Sequence, residues 1–282
     1  LAVFLARRML TPALARRLGL VLVLTGLQAA MGWYMVKSGL SVSTDVSQYR
    51  LAAHLALALV IYVLTVWTAA DLLRRDVPAE PDAAGARRGA LSFAGLTFLT
   101  AVAGAFVAGL DAGRAYNTFP LMGGRLVPDG YLQLAPWWRN FFEHIPAVQF
   151  NHRLLGMATV AGALALWWVV RSAPVSRATA RLAALAASVA LLQLALGIAT
   201  LLLAVPVSLG VLHQAGAVAL LTVAVLLVHS LRPTPVAAAL GSAEPEGEDA
   251  PVVRLVARLI EQALEQAASD IHVEPMENRV RV

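Results

Sequence analysis

Six long apolar runs dominate the hydrophobic pattern of this 282-residue chain. In each run the apolar residues are continuous and do not alternate with polar ones. Each run has about the 20 residues that a helix needs to cross a hydrocarbon core of roughly 30 Å. The pattern therefore predicts six transmembrane helices and disfavours the alternating strands of a membrane barrel. The predicted spans are residues 18–36, 51–70, 90–110, 145–170, 182–205 and 209–231.

Composition agrees with this prediction and narrows the chemistry. The chain is 59% hydrophobic and 14% charged, with a mean hydropathy of +0.70. Soluble domains are about a quarter charged, so the composition indicates an integral membrane protein in a lipid bilayer. The chain has no cysteine, which excludes disulfides, thiolate metal sites and cysteine nucleophiles. It also lacks a P-loop sequence, and we expect no nucleic-acid partner.

Basic residues are unevenly distributed among the loops between the spans. They cluster before the first span, in loop 71–89 and between the fourth and fifth spans. The loops 37–50, 111–144 and 204–208 carry few of them. By the positive-inside rule both termini are predicted to face the cytoplasm. The predicted location is a bacterial inner membrane, crossed several times.

Three histidines lie at a common depth in this topology. His54, His152 and His213 each fall one to two helical turns below the outer end of a predicted span. Ionisable residues inside a membrane usually face the protein interior and mark function. By contrast, His229 lies at the inner end of its span and His144 in a loop, where ordinary solvation accounts for both.

An internal repeat connects two of these histidines. The segment "LQAAMG" at 27–32 reappears as "LQLALG" at 192–197, and a span with a histidine near its outer end follows each copy. Spans one and two therefore repeat as spans five and six. This predicts one complete four-helix unit at 90–231 and half of a second, pseudo-symmetric unit before it.

The matched depths point to a cofactor, with two alternatives left open. Two neutral imidazoles on facing helices of a bundle provide the axial ligands of a heme iron. Arg153, beside His152, and Arg50, one turn before His54, are then candidates for binding the propionates. Hydrogen bonding between helices is one alternative, and proton or ion translocation is the other.

Several segments resemble the heme A synthase family, in its alphaproteobacterial and mitochondrial branch. They are "GLQAAMGWYMVKSGL", "VSQYRLAAHLALALVIY", "AGLDAGRAYNTFPLMGG", "VQFNHRLLG" and "LQLALGIATLLLAVPVSLGVLHQAGA". The resemblance runs in order from about residue 15 to 231. It implies eight spans in two four-helix bundles and oxidation of the C8 methyl of heme O to the formyl group of heme A, for cytochrome oxidase. The implied partners are heme O synthase and cytochrome oxidase assembly factors.

The resemblance also assigns individual residues. His152 and His213 match the axial ligands of a heme b, and His54 matches one of two iron-facing histidines at the substrate-heme site. The family's other substrate-site histidine belongs to a Glu-x-x-His-Arg motif in a span that would precede residue 1. In the second copy the position equivalent to that Glu, three residues before His152, is occupied by Gln149. We therefore expect a partial chain that does not oxidise heme O by itself.

The last residues have a different character. Residues 232–250 read as a Pro/Gly/acidic linker. Residues 251–282 predict a helix and two short strands, and their "ASDIHVEP" resembles the start of secretion and pilus assembly ATPases. A joined reading frame is one interpretation of this tail, and an anchor for a secretion-ATPase module is another.

Taken together, the sequence predicts an all-α membrane protein with a small α/β-like tail. The predicted divisions are 1–70 (half of the substrate-heme bundle), 71–89 (a cytoplasmic loop), 90–231 (the heme b bundle), 232–250 (the linker) and 251–282 (the tail). Beside heme A synthesis, a bis-histidine cytochrome that only transfers electrons stays open as a function.

Overall fold

The computed structural model describes residues 3–4, 7, 9–39, 47–73, 83–232, 274–276 and 279–281. It divides the chain into two units, Leu1–Arg232 and Pro233–Val282. In the second unit, strands β1 (Glu274–Met276) and β2 (Arg279–Arg281) pair antiparallel, with Glu274 opposite Arg281. The helix and linker predicted between 232 and 273 lie outside the described residues. The functional divisions proposed from the sequence stay predictions.

Six long helices form the first unit, as the hydrophobic pattern predicts. All six are long and apolar enough to cross a membrane, so the protein is a multi-pass, all-α membrane protein. A four-residue helix and two single 3₁₀ turns, Ala112–Arg114 and Trp137–Arg139, lie between the third and fourth long helices. The helices are α1 (Pro12–Gly39), α2 (Gln48–Leu73), α3 (Ala84–Gly109), α4 (Asn140–Glu143), α5 (Ile145–Arg171), α6 (Arg177–Leu202) and α7 (Val207–Ser230).

The helix ends differ from the predicted spans by a few residues. Helix α3 begins at Ala84 and not at 90, because the helix continues through polar residues that a hydropathy pattern leaves out. Helix α6 ends at Leu202 and not at 205. There Ala204 and Val205 take positive φ angles of 57° and 61°, a left-handed turn that stops the helix before Pro206.

Helices α3, α5, α6 and α7 form a four-helix bundle, with α3 against α5, α5 against α6, α6 against α7 and α7 against α3. Helix α2 packs on α3 and α7, and α1 packs on α2. Small side chains such as Ala90, Ala163, Ala186 and Ala224 dominate the bundle core. They let the helix backbones approach closely, as membrane bundles require.

A cluster of charged groups joins α1, α2 and α7 at the end of the bundle remote from His152 and His213. Both Asp71 oxygens are used: Oδ1 accepts hydrogen bonds from His229 Nε2 at 2.8 Å and Arg232 Nη1 at 2.7 Å, and Oδ2 accepts one from Arg17. His229 is only 2% exposed and packs its ring edge on Trp67. His229 is therefore a buried structural residue and not a solvated one.

We expect Asp71→Asn to lower the free energy of unfolding by about 2 kcal/mol, the usual scale for hydrogen bonds to a charged group. The change removes the negative partner that Arg17, His229 and Arg232 share. Thermal unfolding in detergent, followed by tryptophan fluorescence, measures the effect. Asp129→Asn is the matched control, because its ion pair with Arg125 is exposed on both sides and contributes little. Equal unfolding temperatures for the two variants would contradict this role of the cluster.

A second contact joins α2 to the bundle at the end where the histidines lie. The Tyr49 hydroxyl donates a hydrogen bond to Glu143 Oε1 at 2.8 Å, and the Tyr49 ring packs against Phe106 and Phe142. The Arg139 guanidinium, which donates to the other Glu143 oxygen at 2.8 Å, holds the pKa of Glu143 below its usual range. Helix α2 is thus attached to the bundle near both of its ends.

Candidate functional site

A cavity of about 280 Å³ lies inside the four-helix bundle, near the N-terminal ends of α5 and α7. All four bundle helices contribute to its wall, and His152 and His213 both line it. Arg153 and Gln149 also line it, together with Phe119 from the loop that follows α3. The volume is close to the lower end of the range for ligand pockets in proteins, roughly 300–1,000 Å³.

The two imidazoles in this cavity approach each other across the bundle. The ring centroids of His152 and His213 are 6.4 Å apart, and the ring planes are perpendicular, at 89°. A metal–imidazole bond is roughly 2 Å long, so two imidazoles on opposite sides of one metal ion have centroids about 6 Å apart. The spacing therefore suits a shared metal centre. Among the described residues, no group of three or more His, Asp or Glu side chains forms an alternative metal site.

A glycine on the neighbouring helix receives the edge of each imidazole. A Cβ added at Gly197 would lie 2.8 Å from Cε1 of His213, and one added at Gly104 would lie 3.1 Å from Cε1 of His152. Any side chain at these two positions would have to displace a ring or the backbone. Gly104 and Gly197 thus leave the space that the two imidazole rings occupy, and we call this pair of glycines the cradle.

The same arrangement occurs at His54, in the first copy of the repeat. A Cβ at Gly32 would lie 3.3 Å from Cε1 of His54. His54 Nδ1 is buried and has no hydrogen-bond partner in the described part of the chain. His54 is not among the residues that line the cavity, so the structure keeps it apart from the His152–His213 pair.

Two of the three histidines are each contacted by a glutamine of their own. Gln193 Nε2 lies 3.1 Å from Nδ1 of His213 and donates to the backbone carbonyl of the same residue at 2.7 Å. Gln28 Nε2 lies 3.0 Å from Nε2 of His54 and donates to its backbone carbonyl at 3.1 Å. Each amide therefore holds a histidine at two points, the ring and the backbone.

Arg153 anchors the loop that follows α3. Its two Nη atoms donate to the backbone carbonyls of Thr118 at 2.8 Å and Tyr116 at 2.7 Å. Gln149, which is 2% exposed, donates to the same Tyr116 carbonyl at 3.1 Å. Arg153 therefore lies in the cavity wall, and its hydrogen bonds hold the loop in place. Its binding to a propionate stays a prediction.

The remaining polar residues named from the sequence are distributed as follows. The Arg50 guanidinium lies over the Tyr34 ring, 4.9 Å from its centroid, which attaches α2 to α1. His144 precedes α5, is 9% exposed and lies 3.2 Å from Gln133 through its Nε2. Neither residue lines the cavity.

Sequence reasoning missed the glutamines and the glycines, although the signal was in the repeat. Gln28 and Gly32 in "LQAAMG" correspond to Gln193 and Gly197 in "LQLALG". Gly comes four positions after Gln in each copy, which puts both on one helix face, one turn apart. The polar residue and the small residue kept in both copies are those that contact the histidine.

The cavity residues fit a heme. Two neutral imidazoles are the donors that a six-coordinate heme iron requires. His152 Nδ1 and Gln193 Oε1 are both buried, and within the described ranges neither has a hydrogen-bond partner. Unpartnered buried polar atoms are costly, so their presence at the imidazole pair supports a site built for a further group.

Comparison with known proteins places the chain among cytochrome oxidase assembly proteins. The family described as "Cytochrome oxidase assembly protein", COX15-CtaA, matches residues 1–225. A heme A synthase of Nitrosospira multiformis is 44% identical over 232 residues, which cover 81% of this chain and 65% of that protein. The human heme A synthase COX15 is 46% identical over 228 residues, covering 77% of this chain and 56% of its own.

A third relative, the heme A synthase of Granulibacter bethesdensis, is 48% identical over 233 residues and covers 82% of this chain and 61% of its own length. The chain thus spans a little over half to two thirds of the relatives that it matches. No solved structure matches it. Because the family match ends at residue 225, the resemblance of residues 251–282 to secretion ATPases stays a prediction.

Proposed function

The chain belongs to the COX15-CtaA family of cytochrome oxidase assembly proteins, and from this premise we propose that it contributes to heme A synthesis. The reaction is the oxidation of the C8 methyl of heme O to the formyl group of heme A, for cytochrome oxidase. The curated relatives with which it shares 44–48% identity carry the name heme A synthase. The described bundle supplies one part of this activity, a heme b site.

One observation supports the heme b site above all: the 6.4 Å spacing of two imidazoles across a cavity inside a membrane bundle. His152 and His213 would be the axial ligands. A bound heme b supplies a one-electron carrier whose potential depends on its axial ligands and on burial. The residues of this chain hold and orient the two imidazoles and exclude water from the space between them.

The loop that follows α3 forms one side of the cavity wall and helps to exclude water from the cavity. Arg153 and Gln149 hold the Tyr116–Thr118 backbone, and Asn117 Nδ2 donates to the carbonyls of Gly113 at 3.0 Å and Leu201 at 2.7 Å. These bonds fix the loop against α5 and α6 and bring Phe119 to the cavity. Arg153 Nε, which has no partner among the described residues, is available to an anionic propionate.

We assign His54 to the heme O site, separate from the heme b cavity. The supporting observation is the repeat: the His54 ring contacts Gly32 and Gln28, and the His213 ring contacts Gly197 and Gln193. Arg50 lies one turn from His54 on the same helix. In this assignment a heme b held by His152 and His213 would supply a one-electron carrier separate from the heme O site.

We further propose that both termini face the cytoplasm and that the membrane is a bacterial inner membrane. The support is the placement of basic residues in the sequence. The histidines then lie near the outer surface, and the Asp71 cluster lies near the cytoplasmic surface. Heme O synthase and cytochrome oxidase assembly factors are the proposed partners.

The function can be tested in two steps. The purified chain should contain a low-spin b-type heme by absorbance and by pyridine hemochrome analysis. A chimera should then join residues 1–232 to the part of the Nitrosospira relative that the match does not cover, in a strain without its own heme A synthase but with heme O. We expect heme A in the pigment extract of the chimera. A His54→Ala chimera should lose heme A but keep the low-spin spectrum.

The test also separates the alternative function. A low-spin heme without any heme A in the chimera would assign the bundle to an electron-transferring bis-histidine cytochrome. Absence of heme from the purified chain would overturn both readings. Our expectation that the 282 residues alone leave heme O unconverted is checked by the same pigment extraction.

A further inference from the structure

The glutamine of each repeat is the feature that heme ligation alone does not explain. Gln193 and Gln28 are not ligands, yet each makes two contacts with the histidine of the following helix. Each also comes one helical turn before the glycine that receives the same imidazole. Both copies of the repeat keep the same three residue types, but Gln193 contacts Nδ1 of His213 whereas Gln28 contacts Nε2 of His54.

The atoms of the Gln193 amide show what its contact with His213 does. One Nε2 hydrogen serves the His213 carbonyl, and the other points at His213 Nδ1. The amide oxygen Oε1 is buried and lacks a hydrogen-bond partner in the part of the chain that the structure describes. The amide thus presents a donor to the ring and keeps an unused acceptor in the same group.

A metal-bound imidazole needs such an acceptor. When His213 binds iron through Nε2, its Nδ1 carries the proton and must donate it. Rotation of the terminal amide of Gln193 exchanges Nε2 and Oε1, so the unused oxygen can accept that proton. The rotated amide then gives up the hydrogen bond from Nε2 to the His213 carbonyl. Gly216, one turn after His213, lacks the Cβ that would collide with the Gln193 amide. The amide therefore has room beside the ring.

The third histidine provides a contrast. Four residues before Gly104, where the repeat would put a glutamine, stands Thr100. Its hydroxyl lies 2.8 Å from the Thr159 hydroxyl, and His152 Nδ1 has no hydrogen-bond partner within the described residues. A glycine cradle therefore occurs without a glutamine, which means that packing of the imidazole does not by itself require one.

We propose that Gln193 is a positioning residue that fixes the tautomer and ring orientation of His213 as an iron ligand. Gln28 contacts the other ring nitrogen, Nε2, of His54, so the proposal concerns Gln193 alone. The inference rests on the proposed heme function. It extends that function by assigning the tuning of one axial ligand to a specific amide. It also makes the two heme ligands unequal, since His213 has a side-chain amide as its partner whereas His152 has a hydrogen bond with the backbone of Thr100.

The experiment uses the full chain and three variants with the heme bound. Gln193→Leu removes both contacts at nearly constant volume, and Gln193→Glu leaves an acceptor for Nδ1. Leu192→Ala is the matched control, because Leu192 is the neighbouring residue on α6 and is 69% exposed. The readouts are the absorbance and electron paramagnetic resonance spectra, the midpoint potential, and the rate of heme transfer to apomyoglobin.

We expect Gln193→Leu to release heme roughly 10–100 times faster, the usual effect of losing a partner of a metal-bound histidine. Gln193→Glu should retain the low-spin heme with a lower midpoint potential, because a carboxylate acceptor makes the imidazole a stronger donor. Leu192→Ala should match the unmodified chain in every readout.

Two outcomes would count against different claims. If the unmodified chain has a low-spin heme and both Gln193 variants keep its potential and release rate, the positioning role is wrong while the heme site stands. If the unmodified chain has no low-spin heme, the proposed function itself fails. Circular dichroism of each variant identifies loss of the helical fold, and Gln193→Glu keeps the test decisive if Gln193→Leu does not fold.

Discussion

His152→Ala and His213→Ala should each abolish the low-spin heme spectrum of the purified protein. Each change removes one of the two imidazoles that face each other at 6.4 Å. With one axial ligand left, the iron becomes five-coordinate and high-spin or the heme is lost, and the double variant should contain no heme at all. Absorbance and electron paramagnetic resonance spectra, with hemochrome quantification, measure this result. It is the largest effect that we expect from any single substitution.

The control for these variants is His144→Gln, which changes a histidine outside the cavity and keeps a side chain able to reach Gln133. Its spectrum should be unchanged. His213→Gly offers a further check, since added imidazole should occupy the vacated space and restore the low-spin signal. An unchanged low-spin spectrum in both single alanine variants would show that the pair does not ligate the heme.

Gly197→Ala is expected to have the second largest effect. The added Cβ would lie 2.8 Å from Cε1 of His213, a distance that non-bonded carbons do not sustain, so the imidazole must move. Overpacking of this kind costs about 1–3 kcal/mol, which corresponds to roughly a fivefold to 150-fold loss of heme affinity. Heme titration of the apoprotein, followed at the absorbance maximum, gives this affinity.

The positions of the other glycines predict a graded series. Gly104→Ala should have a smaller effect, because its Cβ would lie 3.1 Å from His152 and a small shift of the ring relieves the contact. Gly95→Ala is the neutral control, since nothing lies within 4 Å of its added Cβ. An affinity for Gly197→Ala equal to that of Gly95→Ala would refute the cradle.

The six helices could be predicted from the sequence because membrane spans depend on local apolar length alone. Their ends could not, since these depend on turns such as the left-handed pair Ala204–Val205, which hydropathy does not encode. The attachment of α2 to α7 was also hidden. Asp71 and His229 belong to helices far apart in sequence, and their pairing follows from the packing of the bundle.

The candidate site was accessible from the sequence to a similar degree. Equal depth in two spans is enough to suggest that His152 and His213 approach each other, and the structure brings them together. The depth of a residue in the membrane does not determine which neighbouring helix or loop its side chain contacts. For this reason the sequence could not predict that the two Nη atoms of Arg153 donate to loop carbonyls, while the propionate partner suggested for Arg153 stays a prediction.

The two attachments of helix α2 have a kinetic consequence. Tyr49 ties its first turn to Glu143, and Asp71 ties its last turn to His229, about 33 Å further along the helix. Two attachments so far apart resist sliding and rotation of α2 against the bundle, which favours a fixed distance between His54 and the His152–His213 pair. Electron tunnelling slows exponentially as a gap widens. In the function proposed above, where a one-electron carrier lies apart from the heme O site, the two attachments of α2 would keep the rate of charge transfer between the two sites constant.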